Sequence, residues 1–314
     1  MLAPNQDNHP VVGIIALVSG LFVFAIQDVI IKQFSAQYSV LQLVIVRGIV
    51  AVIAIGIIVA IKFGPSGFRV YQPLRIGAKG FLAFFSYLAY YLAIASLPLA
   101  DVVTITFSAP IMVVLLSSLL VGEPVGLRRW LTTLSGFTGV LIAVGFEGHL
   151  VNIATAFAFL AALTYALNSI MARYISSRDN PWTVTFYFSV THFAGGLLSY
   201  LMLSLFPISP QTGHPSFDFL FREWQWSSPV DVAIMASLGL VATAGFYCLN
   251  KAYLMARAAT VAPFEYSYVI WAVLFGYLFW EEIPAAATVL GLLIMIGSNL
   301  FALRSEIIKI RTTD

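Results

Sequence analysis

Apolar residues run through this chain in long unbroken stretches divided by short polar breaks. The stretches lie at residues 11–31, 39–61, 75–96, 100–121, 127–145, 150–173, 182–206, 230–253, 259–280 and 284–303. Each is close to the roughly 20 residues that carry a helix across about 30 Å of hydrocarbon. Strands of a membrane barrel would alternate polar and apolar side chains, so continuous runs predict ten transmembrane helices. Connections are short except at 62–74 and 207–229. The largely polar residues 1–10 hold neither Lys nor Arg. The first stretch therefore lacks the basic leader and cleavage site expected of a removable signal peptide.

Composition agrees with that pattern. With 60% hydrophobic and 10% charged residues, the chain has more apolar surface than one soluble core can hide. A net charge of +2 gives no reason to expect nucleic acid. The single cysteine, Cys248, excludes an internal disulfide and a multi-cysteine metal site.

The basic residues set an expected orientation. With the N-terminus inside, Lys62, Arg69, Arg75, Lys79, Arg128, Arg129, Arg173, Arg178, Lys251, Arg257, Arg304, Lys309 and Arg311 fall on the cytoplasmic side. Only Lys32 and Arg222 fall opposite. Basic residues concentrate on the cytoplasmic face of membrane proteins, so both ends are expected inside the cell.

The chain also repeats itself. Residues 100–123 laid on 259–282, an offset of 159, match at Ala100, Val102, Ser108, Ile111, Val114, Leu115, Leu119 and Glu123. Residues 24–32 resemble 165–173 at an offset of 141, pairing the first stretch with the sixth. The long connection at 207–229 absorbs the difference between the offsets. Five helices separate the copies, an odd number, so equivalent helices run in opposite directions. An all-α membrane protein of two inverted five-helix repeats, 11–145 and 150–304, is expected, and such repeats place a transported ligand near the midplane between two alternative openings.

Leu120-Val-Gly-Glu-Pro124 closes the fourth stretch and Trp280-Glu-Glu-Ile-Pro284 the ninth. With the inverted halves, these resemble the EamA branch of the drug/metabolite transporter superfamily over about residues 11–304. Within it, Gln27-Asp-Val-Ile-Ile-Lys32, Arg47, Lys251-Ala-Tyr253 and Ala258-Ala-Thr-Val-Ala-Pro263 are most similar to bacterial S-adenosylmethionine uptake carriers and relatives that carry riboflavin. Glu265 departs from that likeness, standing where those carriers have a basic residue. The resemblance implies alternating access around a cavity lined by the first, third, fourth, sixth, eighth and ninth stretches.

Ionised groups inside a bilayer cost about 2.5–3.5 kcal/mol on insertion scales, so they face a cavity or a partner. Asp28 near the end of the first stretch and Arg47 about eight residues into the second lie at similar depths. A direct ion pair between them is expected, and two readings stay open: a fastening of two helices, or contact with substrate or a coupling proton. Glu265, in the ninth stretch, has neutral Thr106 as its counterpart in the first copy. It is a candidate countercharge for a cationic amine or sulfonium, or a proton carrier, against snorkelling to the surface. His192 is central in the seventh stretch, read as a packed ring or a titrating group. Gln27, Asn168 and Asn250 offer neutral hydrogen bonds, to substrate or between helices. Tyr87, Tyr91, Tyr247, Tyr268 and Trp271 are candidate stacking or cation–π walls. Trp224 and Trp226 are expected to anchor the long outer loop. Pro110 and Pro263 are candidate hinges, since each removes a helix hydrogen bond. Glu123 and Glu282 end equivalent helices as gates or caps.

No phosphate loop, metal-ligand spacing or activated nucleophile is present in the sequence, so neither an enzyme nor a metal or other cofactor is expected. The expectation is a multi-pass secondary carrier of the bacterial inner membrane. It would move a nitrogenous cation or zwitterion of the S-adenosylmethionine kind, driven by a coupling proton or counter-substrate. The alternatives are an exporter of amino acids or drugs and a riboflavin carrier.

Overall fold

The computed structural model describes residues 10–116, 119, 131, 134–139, 141–142, 152–172, 181–206, 212–226, 228–255, 264–265 and 267–313. Its described elements are α1 (Pro10–Phe34), α2 (Val40–Phe63), a 3-10 turn (Gly64–Phe68), α3 (Pro73–Ile94), α4 (Leu99–Thr106), α5 (Ala109–Leu116), α6 (Ile153–Ala172), α7 (Pro181–Ser204), α8 (Pro215–Phe221), α9 (Pro229–Met255), α10 (Ser267–Trp280) and α11 (Ala286–Thr313). No strand occurs among the described residues. Six of these helices are long and apolar enough to cross a membrane: α1, α2, α3, α6, α7 and α9. Two more, α10 and the first part of α11, are apolar but shorter. The fifth stretch falls largely outside the described residues, as do Glu123, Pro263 and residues 256–262.

The fourth stretch is broken. Its first part, α4, ends at Thr106, and α5 begins at Ala109. Pro110 is therefore the second residue of a new helix, where a proline's missing N–H costs no intrahelical bond. The discontinuity lies just before the proline, at Phe107 and Ser108.

Each long helix buries one stripe and leaves another apolar. In α2, Val40, Leu41, Val44, Ile45, Gly48, Ile55 and Val59 are buried, whereas Ile49, Ile53, Ile57 and Ile61 are 44–79% exposed at four-residue intervals. Such a stripe would be costly in water and is at home in lipid. The chain is a multi-pass membrane protein.

The long helices pack in a definite pattern. α1 lies against α9 and α10, α3 against α6 and α7, and α2 against α7 and α9. Small residues bring the backbones close. A Cβ on Gly239 of α9 would meet the Arg47 carbonyl oxygen at 2.5 Å and the Ala51 nitrogen at 2.9 Å, both α2 backbone atoms that cannot swing away. Gly239→Ala is expected to force α2 and α9 apart at a cost of about 1–3 kcal/mol. Gly297→Ala, which meets nothing within 4 Å inside α11, is expected to raise stability slightly, by up to about 1 kcal/mol. Thermal melting of the two purified variants in detergent checks the difference.

One end of the bundle is sealed by the long connection. α8 lies across it, with Phe219 fully buried and the Ser216 hydroxyl donating to the Leu92 carbonyl at 2.6 Å. Gln42 donates to the Gln225 carbonyl at 2.6 Å and accepts from the Gln225 N–H at 3.2 Å. Within the same connection, the Thr212 N–H and hydroxyl both donate to Asp218 and hold its carboxyl below the usual range. Trp224 packs on Tyr200 of α7 with ring centres 5.4 Å apart, while Trp226 is exposed.

Candidate functional site

Two buried charges of the bundle, Asp28 and Arg47, meet one face of α3. Tyr87, Tyr90 and Tyr91 are spaced i, i+3 and i+4, so all three point the same way. Tyr90 donates to Asp28 Oδ2 at 2.7 Å, and Tyr268 of α10 donates to the same oxygen. The two phenol oxygens are 3.4 Å apart. Arg47 of α2 donates to the Tyr91 hydroxyl, which also accepts from Gln27 Nε2 at 3.2 Å. The guanidinium carbon lies 5.3 Å from the Tyr91 ring centre and 5.7 Å from that of Tyr87, within cation–π range. Asp28 is 3% and Arg47 7% exposed.

The expected direct ion pair is thus replaced by a tyrosine-mediated one. Asp28 and Arg47 do not approach within 4 Å; among the described residues, Lys32 and Glu282 form the one ion pair at that distance. Adjacent tyrosines hold the two charges, each satisfying one, so neither charge neutralises the other by contact.

Beside this cluster is a cavity between α1, α2, α3, α7 and α9. Phe24 and Gln27, then Arg47, Gly48, Ala51 and Ile55, line it from α1 and α2, and Tyr87 from α3. Thr185, Phe188, Ser189 and His192 enter from α7, and Ala242, Thr243 and Phe246 from α9. From Arg47 it follows α2 to Ile55, away from the sealed end. It holds about 30 Å³, against roughly 300–1,000 Å³ for ordinary small-molecule sites, so it must widen to admit a metabolite. The second and seventh stretches contribute most of its wall, a different set from the one the family resemblance implies. α10 reaches the neighbouring cluster through Tyr268.

His192 is 6% exposed, and its Nδ1 lies 3.2 Å from the Phe188 carbonyl. Its Nε2 and the Oε1 of Gln27 are buried with no hydrogen-bond partner. The ring packs between Phe188 at 4.4 Å, Tyr87 at 5.3 Å and Phe84 at 6.2 Å.

Other candidates lie elsewhere. Glu265, half-buried, interacts electrostatically with Tyr165 of α6 and is not among the residues that line the cavity. Asn168 donates to the Lys79 carbonyl at 3.1 Å, tying α6 to α3. Tyr247 is 49% exposed beside Trp182. Trp271 packs edge-on to Phe22 at 4.9 Å, and its buried indole N–H has no partner. The Asn250 side chain is outside the described residues. Tyr90 was hidden in sequence because a helix-end tyrosine normally marks the interfacial belt. Its spacing from Tyr87 was the available signal.

A bundle of apolar helices around a buried, tyrosine-bound pair of opposite charges defines an integral membrane protein with a polar site in its interior. The chain belongs to the EamA-like transporter family, whose description matches residues 11–145 and 152–304. It is 26% identical over 245 residues to a riboflavin transporter of Rhizobium johnstonii, covering 78% of this chain and 75% of the relative. It is 25% identical over 280 residues to a pseudopaline exporter of Pseudomonas aeruginosa, covering 89% and 91%. An S-adenosylmethionine uptake transporter of Rickettsia conorii is 22% identical over 246 residues, covering 78% and 77%. A solved crystal structure, 18% identical, superposes with a TM-score of 0.58 over 93% of this chain and 96% of that one, a likeness of fold.

Proposed function

We propose that this chain is a secondary active carrier of the bacterial inner membrane that moves a small zwitterionic or cationic metabolite of the S-adenosylmethionine kind by alternating access. In this reading ten spans form two inverted halves, 11–145 and 150–304, with both ends cytoplasmic. Two features support it. The excess of Lys and Arg on one side favours that orientation. The packing is also self-consistent under the repeat. Exchanging the halves turns the contact of the first stretch with the eighth (α1 with α9) into that of the sixth with the third (α6 with α3), and leaves the second with the seventh (α2 with α7) unchanged. The sealed end is then external and the cavity lies on its cytoplasmic side.

The observation that carries the reading is the pair Asp28 and Arg47, each less than a tenth exposed, held by tyrosines beside a cavity that must widen. Arg47 lines the cavity and Asp28 lies behind its wall, next in the chain to the lining residue Gln27, so both charges act on a ligand held there, and a difference in those interactions between the two openings is what shifts the conformational equilibrium. A riboflavin carrier is the second reading, favoured by the aromatic walls Phe24, Tyr87, Phe188 and Phe246.

Uptake of labelled S-adenosylmethionine into proteoliposomes tests both, with riboflavin and amino acids as competitors and a pH gradient or internal counter-substrate as the driving force. Saturable uptake is expected, blocked in Asp28→Asn. Glu265→Gln, at a residue that neither lines the cavity nor bonds its tyrosines, is expected to lower uptake less than Asp28→Asn. Competition by riboflavin alone, with no uptake of the probe, overturns the first reading for the second.

A further inference from the structure

The two unpartnered polar atoms at the cavity carry a chemical instruction. A backbone carbonyl only accepts, so the contact of His192 Nδ1 with the Phe188 carbonyl puts the hydrogen on Nδ1. In that tautomer Nε2 is a lone-pair acceptor. Gln27 gives its Nε2 hydrogen to Tyr91, which leaves Oε1, also an acceptor. Both atoms belong to residues that line the cavity, and both are buried. Leaving such atoms unmatched costs about 1–3 kcal/mol each, so the site is short of donors.

Arg47 supplies the complementary half. One of its guanidinium nitrogens donates to Tyr91, and the group has five N–H donors in all. The flat fork suits a carboxylate. Gln27 and Arg47 both bond the Tyr91 hydroxyl, and His192 and Arg47 both lie within 6 Å of the Tyr87 ring centre, so the three groups cluster round the same two tyrosines.

We propose that this corner is an α-amino-acid subsite, in which Gln27 Oε1 and His192 Nε2 accept from the ligand's ammonium group while Arg47 binds its carboxylate. The inference rests on the carrier reading and deepens it, assigning the polar head of the substrate to named atoms. Tyr87 and Phe188 offer faces to the ammonium, a favourable contact for a desolvated cation. The remainder of the ligand would extend along the aromatic wall towards Phe246.

The test uses the full-length protein in proteoliposomes. Labelled S-adenosylmethionine is the probe, with its decarboxylated analogue as competitor. The wild type is expected to bind the analogue at least about tenfold more weakly, because the analogue forfeits the carboxylate contact. His192→Phe keeps the ring packing and deletes the acceptor; KM is expected to rise about tenfold with maximal rate retained. His192→Gln, which offers an acceptor again, is expected to recover part of the loss. Equal inhibition by the decarboxylated analogue, or an unchanged KM in His192→Phe, overturns the subsite. If the wild type takes up no S-adenosylmethionine, the substrate assignment falls, and thermal stabilisation by L-methionine, its amine and its keto acid decides the subsite separately. Stabilisation by the zwitterion alone supports it; equal stabilisation by all three, or by none, overturns it.

Discussion

Replacing Arg47 by methionine is expected to reduce uptake at least about tenfold and to lower the melting temperature as well. The guanidinium bonds Tyr91, sits against two tyrosine rings and interacts electrostatically with Asp28. Removing it leaves a carboxylate in the bundle with only phenol donors, and stranding one member of a buried charged set costs about 3–5 kcal/mol. Asp28→Asn also blocks uptake but is expected to lower the melting temperature less, because an amide can still accept from Tyr90 and Tyr268. The double variant separates structure from function. If the charges mainly balance each other, Asp28→Asn with Arg47→Met melts higher than the sum of the single losses implies, by a coupling of roughly 0.5–3 kcal/mol. Uptake in the double variant is expected to stay lost, since neither charge remains to meet a ligand. A double variant that regains both stability and uptake would reduce the pair to a fastening between helices. Melting curves and initial uptake rates on the same four proteins give both answers.

How much of this was legible in the sequence depended on whether a feature is local. The apolar runs are local, and they located α1, α2, α3, α6, α7 and α9 within a few residues of their boundaries. The motif Trp280-Glu-Glu-Ile-Pro284 marked a helix end, and α10 does end at Trp280. Its meaning needed coordinates. Glu281 has φ +56°, so the chain turns left-handed there, its N–H bonding the Tyr277 carbonyl and that of Glu282 reaching Gly276. A side chain in that region is disfavoured, and glycine is the usual occupant.

Partner choice was not local and was misread. Asp28 and Arg47 share a depth, which made a direct pair look natural, but depth says nothing of rotation about each helix axis. The face of α3 placed a tyrosine before each charge instead. Glu265 attracted attention as an asymmetric carboxylate, yet it is Tyr268, three positions further along, that reaches Asp28. His192 carried no sequence signal beyond its central position. What distinguishes it is an unpartnered nitrogen at a cavity wall, a property of five helices together.

Neutralising either partner of the Lys32–Glu282 pair is expected to open the sealed end. Lys32 Nζ lies 2.5 Å from Glu282 Oε1 and donates to the Leu97 carbonyl at 3.1 Å, while the Leu99 N–H donates to Glu282 Oε2 at 3.1 Å. The ammonium also sits 4.8 Å from the Trp280 ring centre. One ion pair thus ties the end of α1 to the start of α4 and the end of α10, helices on both sides of the proposed division between halves. Both side chains are mostly buried, at 10% and 23% exposure. A charged hydrogen bond of this kind contributes about 1.5–3 kcal/mol, which corresponds to a population change of roughly 10- to 150-fold if it exists in only one of the two states. The reporter is Ile31→Cys in a Cys248→Ala background; Ile31 is fully buried, about one turn from Gln27 and Asp28 and next to Lys32. Lys32→Met and Glu282→Gln are each expected to raise its labelling by a membrane-impermeant thiol reagent added outside, by at least about tenfold. The charge-swapped pair, Lys32→Glu with Glu282→Lys, is expected to restore protection only in part, because a lysine at 282 cannot accept from the Leu99 N–H. Unchanged labelling in both single variants would leave the pair as a helix cap, and the barrier at this end would then rest on α8 and the buried Phe219 beneath it.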